Sequence, residues 1–167
     1  MKVFGFAGYS GSGKTTLIEQ LIPRFVMEGL LVSLVKHAHH GFDIDKPGKD
    51  SYRQREAGAS EVMLISDQRW VLMHELRGGP EPSLEEQLAR MSPCDLVLVE
   101  GFKYTTIPKI EVHRPANGKR LLYTDKINVV ALASDVEMRP EGSQLPWLDL
   151  NDADAIADFI LRYLELR

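Results

Sequence analysis

The sequence lacks the features that mark secreted, membrane-spanning and general nucleic-acid-binding proteins. Its 167 residues include a single cysteine, Cys94, which excludes an intrachain disulfide and a zinc site built on several thiolates. No apolar run approaches the ~20 residues that span a bilayer, and the first residues do not resemble a signal peptide. The net charge of −4 argues against a general nucleic-acid binder. We therefore expect one cytoplasmic domain over residues 1–167, with no membrane or nucleic-acid partner.

Apolar runs and turn signals along the chain predict alternating strands and helices, which favours an α/β fold with a mostly parallel sheet. Two runs at 61–66 and 69–76 flank Asp67 and Gln68, a pattern typical of a β-hairpin inserted into that fold. The other predicted strands are 3–7, 30–36, 96–99, 109–113 (as an edge strand) and 128–133, and the predicted helices are 14–28, 51–57, 84–91 and 152–166.

A glycine-rich segment after the first predicted strand carries the strongest signal. Residues 8–15 read GYSGSGKT and match the phosphate-binding pattern G-x-x-x-x-G-K-[ST] between a strand and a helix. Lys14 is expected to bridge the β- and γ-phosphates as a catalytic residue, and the Thr15 hydroxyl to ligate Mg²⁺. The predicted nucleotide-binding residues of this loop are Gly8, Ser10, Gly11, Ser12, Gly13, Lys14, Thr15 and Thr16.

A second acidic or polar strand end is expected beside this loop. Glu100 follows four apolar residues, 96–99, and the carboxyl ends of parallel strands meet at one edge of a sheet, where ligands bind. We assign Glu100 as a metal ligand and as a catalytic residue.

Asp135 ends a later strand, and its carboxylate can accept both guanine N1–H and N2–H. We assign Asp135 to the base, since the usual N-K-x-D motif is absent from the sequence.

The segment 36–51 is unusually dense in ionisable residues and long enough to be a lid over the phosphates. Asp45 is a candidate Mg²⁺ ligand, directly or through water, and Asp50 a candidate catalytic residue. His37, His39 and His40 either hydrogen-bond around an anionic ligand or hold a metal. The cations that can neutralise phosphate charge here are Lys46, Lys49, Arg53 and Arg55.

The loop 8–16, the stretches 36–40 and 43–51, Arg69-Trp70 and the segment 98–103 together resemble the MobB family of molybdopterin-guanine dinucleotide biosynthesis adaptor proteins. The run DIDKPGKDS at 43–51 is the specific part. The resemblance implies a three-layer, P-loop NTPase-like domain that binds GTP and Mg²⁺, hydrolyses GTP weakly and forms a homodimer. It also implies an accessory role: helping the guanylyltransferase MobA to attach GMP to molybdopterin, which is itself a candidate ligand.

Two other functions stay open at this point. The run GSGKTT at 11–16 also occurs in small-molecule P-loop kinases, which need an acceptor pocket and a general base. A metal-delivery GTPase would use His37, His39 and His40 as ligands. For the weak GTP hydrolysis that the resemblance implies, Arg53 and Arg55 are candidates for an arginine finger.

Overall fold

The computed structural model describes residues 1–38, 41–125, 127–137, 139 and 142–167. The described residues form four helices: α1 (Lys14–Met27), α2 (Asp50–Glu56), α3 (Leu84–Leu88) and α4 (Ala153–Tyr163). They also form eight strands: β1 (Lys2–Ala7), β2 (Val32–Lys36), β3 (Glu61–Ile65), β4 (Trp70–His74), β5 (Leu96–Glu100), β6 (Lys109–His113), β7 (Val129–Ser134) and β8 (Trp147–Asp149). No helix in this described part of the chain is long and apolar enough to cross a bilayer.

Contacts group the chain into two compact units. Met1–His37 and Met91–Arg167 form the first, here called the sheet unit, and Ala38–Arg90 forms the second, here called the hairpin unit. The prediction of a single GTP-binding domain over 1–167 stays a prediction.

The sheet unit is built on six strands in the order β2-β5-β1-β6-β7-β8, and every neighbouring pair is parallel. Phe4 of β1, Phe25 of α1 and Ile160 of α4 are fully buried in one hydrophobic cluster, and each contributes roughly 2–3 kcal/mol by leaving water. Helix α4 begins at an N-cap, where the Asp152 side chain accepts a hydrogen bond from Ala155 N at 2.9 Å. The predicted α/β fold with a mostly parallel sheet is confirmed.

The predicted position of one strand in the sheet was wrong. β6 was expected at the sheet edge but lies between β1 and β7. Its two charged residues, Lys109 and Glu111, are buried there. Lys109 Nζ donates to Thr105 O at 2.6 Å, and Glu111 accepts from the backbone N–H groups of Leu122 and Tyr123. The edge strand on this side is β8, which at three residues was too short to predict.

The predicted hairpin is confirmed in the hairpin unit, where β3 and β4 pair antiparallel. Directly opposite residues share a face of such a pair. On one face Val62 and Met73 are buried, each 8% exposed. The other face carries the opposite pairs Met63–Leu72 and Ile65–Trp70, whose exposures are 52%, 43%, 74% and 62%. We call these four residues the apolar hairpin face.

Candidate functional site

The loop between β1 and α1 turns sharply at the carboxyl end of a central strand. Gly8, Gly11 and Gly13 have φ angles of 149°, 77° and 98°, in a region that residues with a side chain rarely adopt. A Cβ at Gly8 would lie 2.4 Å from the backbone oxygen of Val112 in β6. The glycine there is therefore required both by the backbone conformation and by the neighbouring strand.

Lys14 lies against the backbone of this loop. Its ammonium donates to the carbonyl oxygens of Gly8 at 3.0 Å and Tyr9 at 2.9 Å. Burial lowers the pKa of Lys14, while nearby Glu100 raises it and nearby Lys36 lowers it by smaller amounts. Neutral carbonyls are weaker partners for an ammonium than anionic oxygens. A phosphate bound in the loop would therefore be a better acceptor for Lys14 than the two carbonyls.

Three polar side chains meet where β5 and β2 end beside the loop. Thr15 Oγ1 donates to Glu100 Oε1 at 2.8 Å. Lys36 lies opposite Glu100 in the register of β2 and β5, and Lys36 Nζ is 3.2 Å from Glu100 Oε2 and 3.5 Å from Thr15 Oγ1. The structure thus brings together two of the residues assigned to the metal. It also adds Lys36, the last residue of β2.

The oxygens of Thr15 and Glu100 suit Mg²⁺, which proteins usually bind through one or two oxygens together with phosphates and waters. The Lys36 ammonium lies among these oxygens, which indicates that the position favours positive charge. Among the described residues, no three His, Cys, Asp or Glu side chains cluster to hold a metal by themselves. His39 and His40 lie outside the described residues, so the metal-delivery hypothesis stays a hypothesis.

Arg114, directly after β6, connects the phosphate loop to the end of β7. Its NH1 donates to Asp135 Oδ2 at 2.7 Å, and its Nε donates to Ser12 O at 3.1 Å. Asp135 Oδ1 and Ser12 Oγ are buried and have no hydrogen-bond partner among the described residues. Sequence reasoning missed Arg114, although its place directly after the predicted strand 109–113 was an available signal.

A small cleft opens beside Arg114. It has a volume of about 140 Å³, less than the ~300 Å³ at which small-molecule pockets usually begin. Thr16, one of the predicted nucleotide-binding residues, and Arg114 border it. Its full lining is Gly13, Thr16, Leu17, Gln20, Arg114, Leu150 and Asn151.

Asp45 and Asp50 lie in the hairpin unit. The Asp45 carboxylate is 6% exposed; its Oδ1 accepts from Ser51 Oγ at 2.8 Å and its Oδ2 is 3.5 Å from Arg55 Nε. Asp50 is exposed at the start of α2. Their assignments to metal and catalysis stay predictions.

Arg55 is the centre of an ion-pair network within the hairpin unit. Besides Asp45, it pairs with Asp43 at 2.8 Å and Glu75 at 2.7 Å, and these carboxylates raise its pKa. The other cations assigned to phosphate, Lys46, Lys49 and Arg53, are exposed on the same unit. The prediction of an arginine finger at Arg53 or Arg55 stays a prediction.

Comparison with known proteins identifies the family. Residues 3–135 match the family model "MobB: Molybdopterin guanine dinucleotide synthesis protein B". The molybdopterin-guanine dinucleotide biosynthesis adapter protein of Escherichia coli K12 is 44% identical over 167 residues, covering 98% of this chain and 93% of that protein. The adapter protein of Haemophilus influenzae is 44% identical over 165 residues, covering 97% and 89%. The crystal structure of a MobB homolog from Bacillus stearothermophilus aligns with a TM-score of 0.73 at 26% identity over all of both chains. The chain belongs to the MobB family.

Proposed function

We propose that this protein binds GTP and Mg²⁺ and serves as an adapter in the biosynthesis of molybdopterin-guanine dinucleotide, the biosynthetic role that the names of its relatives state. The observation that carries the proposal is the convergence of the loop 8–15, Glu100 and the Arg114–Asp135 pair at one edge of a parallel sheet. Open α/β sheets bind ligands at this edge. Family membership favours this function over a small-molecule kinase or a metal-delivery GTPase.

In the proposed site the phosphates lie in the loop, where backbone N–H groups and the start of α1 supply positive potential. Lys14 exchanges the carbonyls of Gly8 and Tyr9 for phosphate oxygens. Thr15 and Glu100 would hold Mg²⁺, which would supply positive charge to neutralise the phosphates. Each of these residues reaches the site from the end of a strand or the start of α1, so the positions are set by the fold.

The base is proposed to lie on the Asp135 side of the loop. Asp135 Oδ1 is a buried acceptor with no partner among the described residues, and a guanine N–H can supply the missing donor. The ribose then falls at the cleft beside Thr16 and Arg114. Reading guanine with both carboxylate oxygens requires the Arg114–Asp135 ion pair to open.

We also propose that hydrolysis of GTP is slow. Arg55 can act as an arginine finger only by leaving Asp43, Asp45 and Glu75, which hold it inside the hairpin unit. Breaking several charge-assisted hydrogen bonds to a side chain that is 12% exposed is unfavourable. A slow reaction suits a protein whose task is to present a nucleotide to another enzyme.

Two assemblies belong to the proposal: a homodimer, and a complex with the guanylyltransferase MobA, with molybdopterin as a second ligand. The apolar hairpin face supports the homodimer. Four large side chains exposed side by side on a short sheet are rare on monomers and mark protein contacts. A second copy of the same face provides a self-complementary partner.

The experiment that tests the proposed function is guanylyl transfer by MobA in the presence of this protein. Wild type is expected to increase the yield of molybdopterin-guanine dinucleotide, and Lys14→Ala is expected to remove most of that increase. Lys2→Ala, at the opposite end of β1, is the matched control. Equal stimulation by wild type and Lys14→Ala would show that nucleotide binding by this protein is not required for its effect on MobA.

A further inference from the structure

We propose that Lys36 is an internal counter-ion that occupies the cation position between Thr15 and Glu100 and competes with Mg²⁺ for it. The inference deepens the proposed function and rests on it for the role of Mg²⁺. Nothing in the phosphate-binding pattern requires a lysine at this place, so Lys36 adds a property to the site.

The fold sets this position through strand pairing. β2 and β5 are parallel, and their register places Lys36 opposite Glu100 at the carboxyl ends of both strands. The Lys36 ammonium lies 3.2 Å from one carboxylate oxygen of Glu100, and the Thr15 hydroxyl lies 2.8 Å from the other. Both oxygens of the carboxylate are therefore engaged, one by each partner.

The need for a counter-ion comes from burial. Glu100 is 8% exposed, and a carboxylate removed from water without a partner is strongly unfavourable. Lys36 meets this need from the outside, because its side chain is 53% exposed. A lysine stem is long and flexible, so the ammonium can withdraw into solvent without any movement of β2.

Competition follows from the geometry. Mg²⁺ binds its oxygen ligands at about 2.1 Å in a near-octahedral shell. An ammonium 3.2 Å from Glu100 and 3.5 Å from Thr15 takes up the space and the charge that such a shell needs. Metal and Lys36 are thus alternative partners of the same two residues. Lys36 reduces the benefit that Mg²⁺ brings to nucleotide binding, and it supplies positive charge near the phosphates when Mg²⁺ is scarce.

The test measures the affinity for a fluorescent GTP analogue in excess EDTA and in saturating Mg²⁺. For each variant, the dissociation constant in EDTA is divided by the dissociation constant in Mg²⁺. This ratio reports how much Mg²⁺ assists binding. Lys36→Gln is expected to raise this ratio about fivefold, the size of a half-exposed ion pair. Lys2→Gln makes the same charge change at the other end of the sheet and should leave it unchanged. An unchanged or smaller ratio in Lys36→Gln would overturn the proposal.

A second measurement separates this inference from the proposed function. If wild type binds no analogue at any Mg²⁺ concentration, the proposed function fails, and the Lys36–Glu100 pair is then tested without nucleotide. Lys36→Gln should lower the melting temperature by about 2–4 °C relative to Lys2→Gln, because it removes the counter-ion of a buried carboxylate. The double variant Lys36→Gln/Glu100→Gln should recover part of the loss. Equal melting temperatures for Lys36→Gln and Lys2→Gln would overturn the counter-ion role.

Discussion

The two units of the chain place their unusual groups in opposite ways. The sheet unit buries charge: Glu100, Lys109 and Glu111 are each at most 8% exposed. The hairpin unit exposes apolar surface, with Ile65 at 74% and Trp70 at 62%. Buried charges need partners inside the protein or from a ligand, whereas a patch of exposed apolar side chains needs another protein. The contrast supports the proposals that the sheet unit binds the ligand and that the hairpin unit forms the contacts of the assembly.

The largest expected effect separates these two roles. The double substitution Ile65→Ser/Trp70→Ser removes two large side chains from the apolar hairpin face, and should raise the dimer dissociation constant by roughly 100-fold or more. Analytical ultracentrifugation measures it. Met27→Ser is the control, because Met27 is 79% exposed on the sheet unit. An unchanged dimer dissociation constant in the double variant would show that the apolar hairpin face does not form the dimer interface.

The next effect concerns the phosphate loop itself. Gly8→Ala should lower the free energy of unfolding by roughly 3 kcal/mol, because its Cβ would meet the Val112 carbonyl at 2.4 Å. Gly29→Ala is matched, with a positive φ of 82° but open space around it, and should cost only about 1 kcal/mol. Urea denaturation measures both. Equal costs would show that the contact with β6 does not constrain the loop.

A smaller effect tests how the sheet unit distinguishes nucleotides. Asp135→Asn should raise the dissociation constant for GTP about tenfold and that for ATP much less, because one acceptor for a guanine N–H is lost. Asp125→Asn, which alters the exposed Arg120–Asp125 ion pair, is the control. Competition of GTP and ATP against a fluorescent analogue gives the ratio. A GTP/ATP ratio that stays the same in Asp135→Asn would exclude Asp135 as the base reader.

The smallest effect concerns a buried charge away from the ligand. Burial lowers the pKa of Lys109 to about 8, so above that pH the folded protein releases a proton that the unfolded chain keeps up to about 10.4. The unfolded chain then binds more protons, and Lys109 contributes a relative gain in stability as pH rises. Wild type should gain about 1 kcal/mol over Lys109→Met between pH 8 and 9. Urea denaturation of both proteins at the two pH values measures this difference. An equal change in the free energy of unfolding of wild type and Lys109→Met would contradict the lowered pKa.

Much of the fold was predictable because local patterns and tertiary structure agree. The glycine-rich loop, the apolar run before Glu100 and the hairpin around Asp67 and Gln68 each carry their own signal. The predicted position of β6 was wrong because Lys109 and Glu111 look like solvent-facing residues of an edge strand. Their burial depends on acceptors and donors at Thr105, Leu122 and Tyr123, which strand alternation does not reveal.

The candidate site was predictable in part for a similar reason. Thr15 and Glu100 follow from a motif and a strand end, and the structure brings them within 2.8 Å. The contacts of Lys36 and Arg114 depend on register and strand order, since Lys36 meets Glu100 only because β2 lies beside β5. Long-range pairing of this kind is a property of the assembled sheet.

The most direct test of the account is a calorimetric titration of the purified protein with GTP in the presence of Mg²⁺. Wild type is expected to bind one GTP per chain, and Lys14→Ala to bind at least ~100-fold more weakly, because the ammonium proposed to face the phosphates is lost. Lys2→Ala should bind like wild type. Equal affinity of wild type and Lys14→Ala for GTP, or no binding by wild type, would contradict the assignment of the loop 8–16 as the nucleotide site.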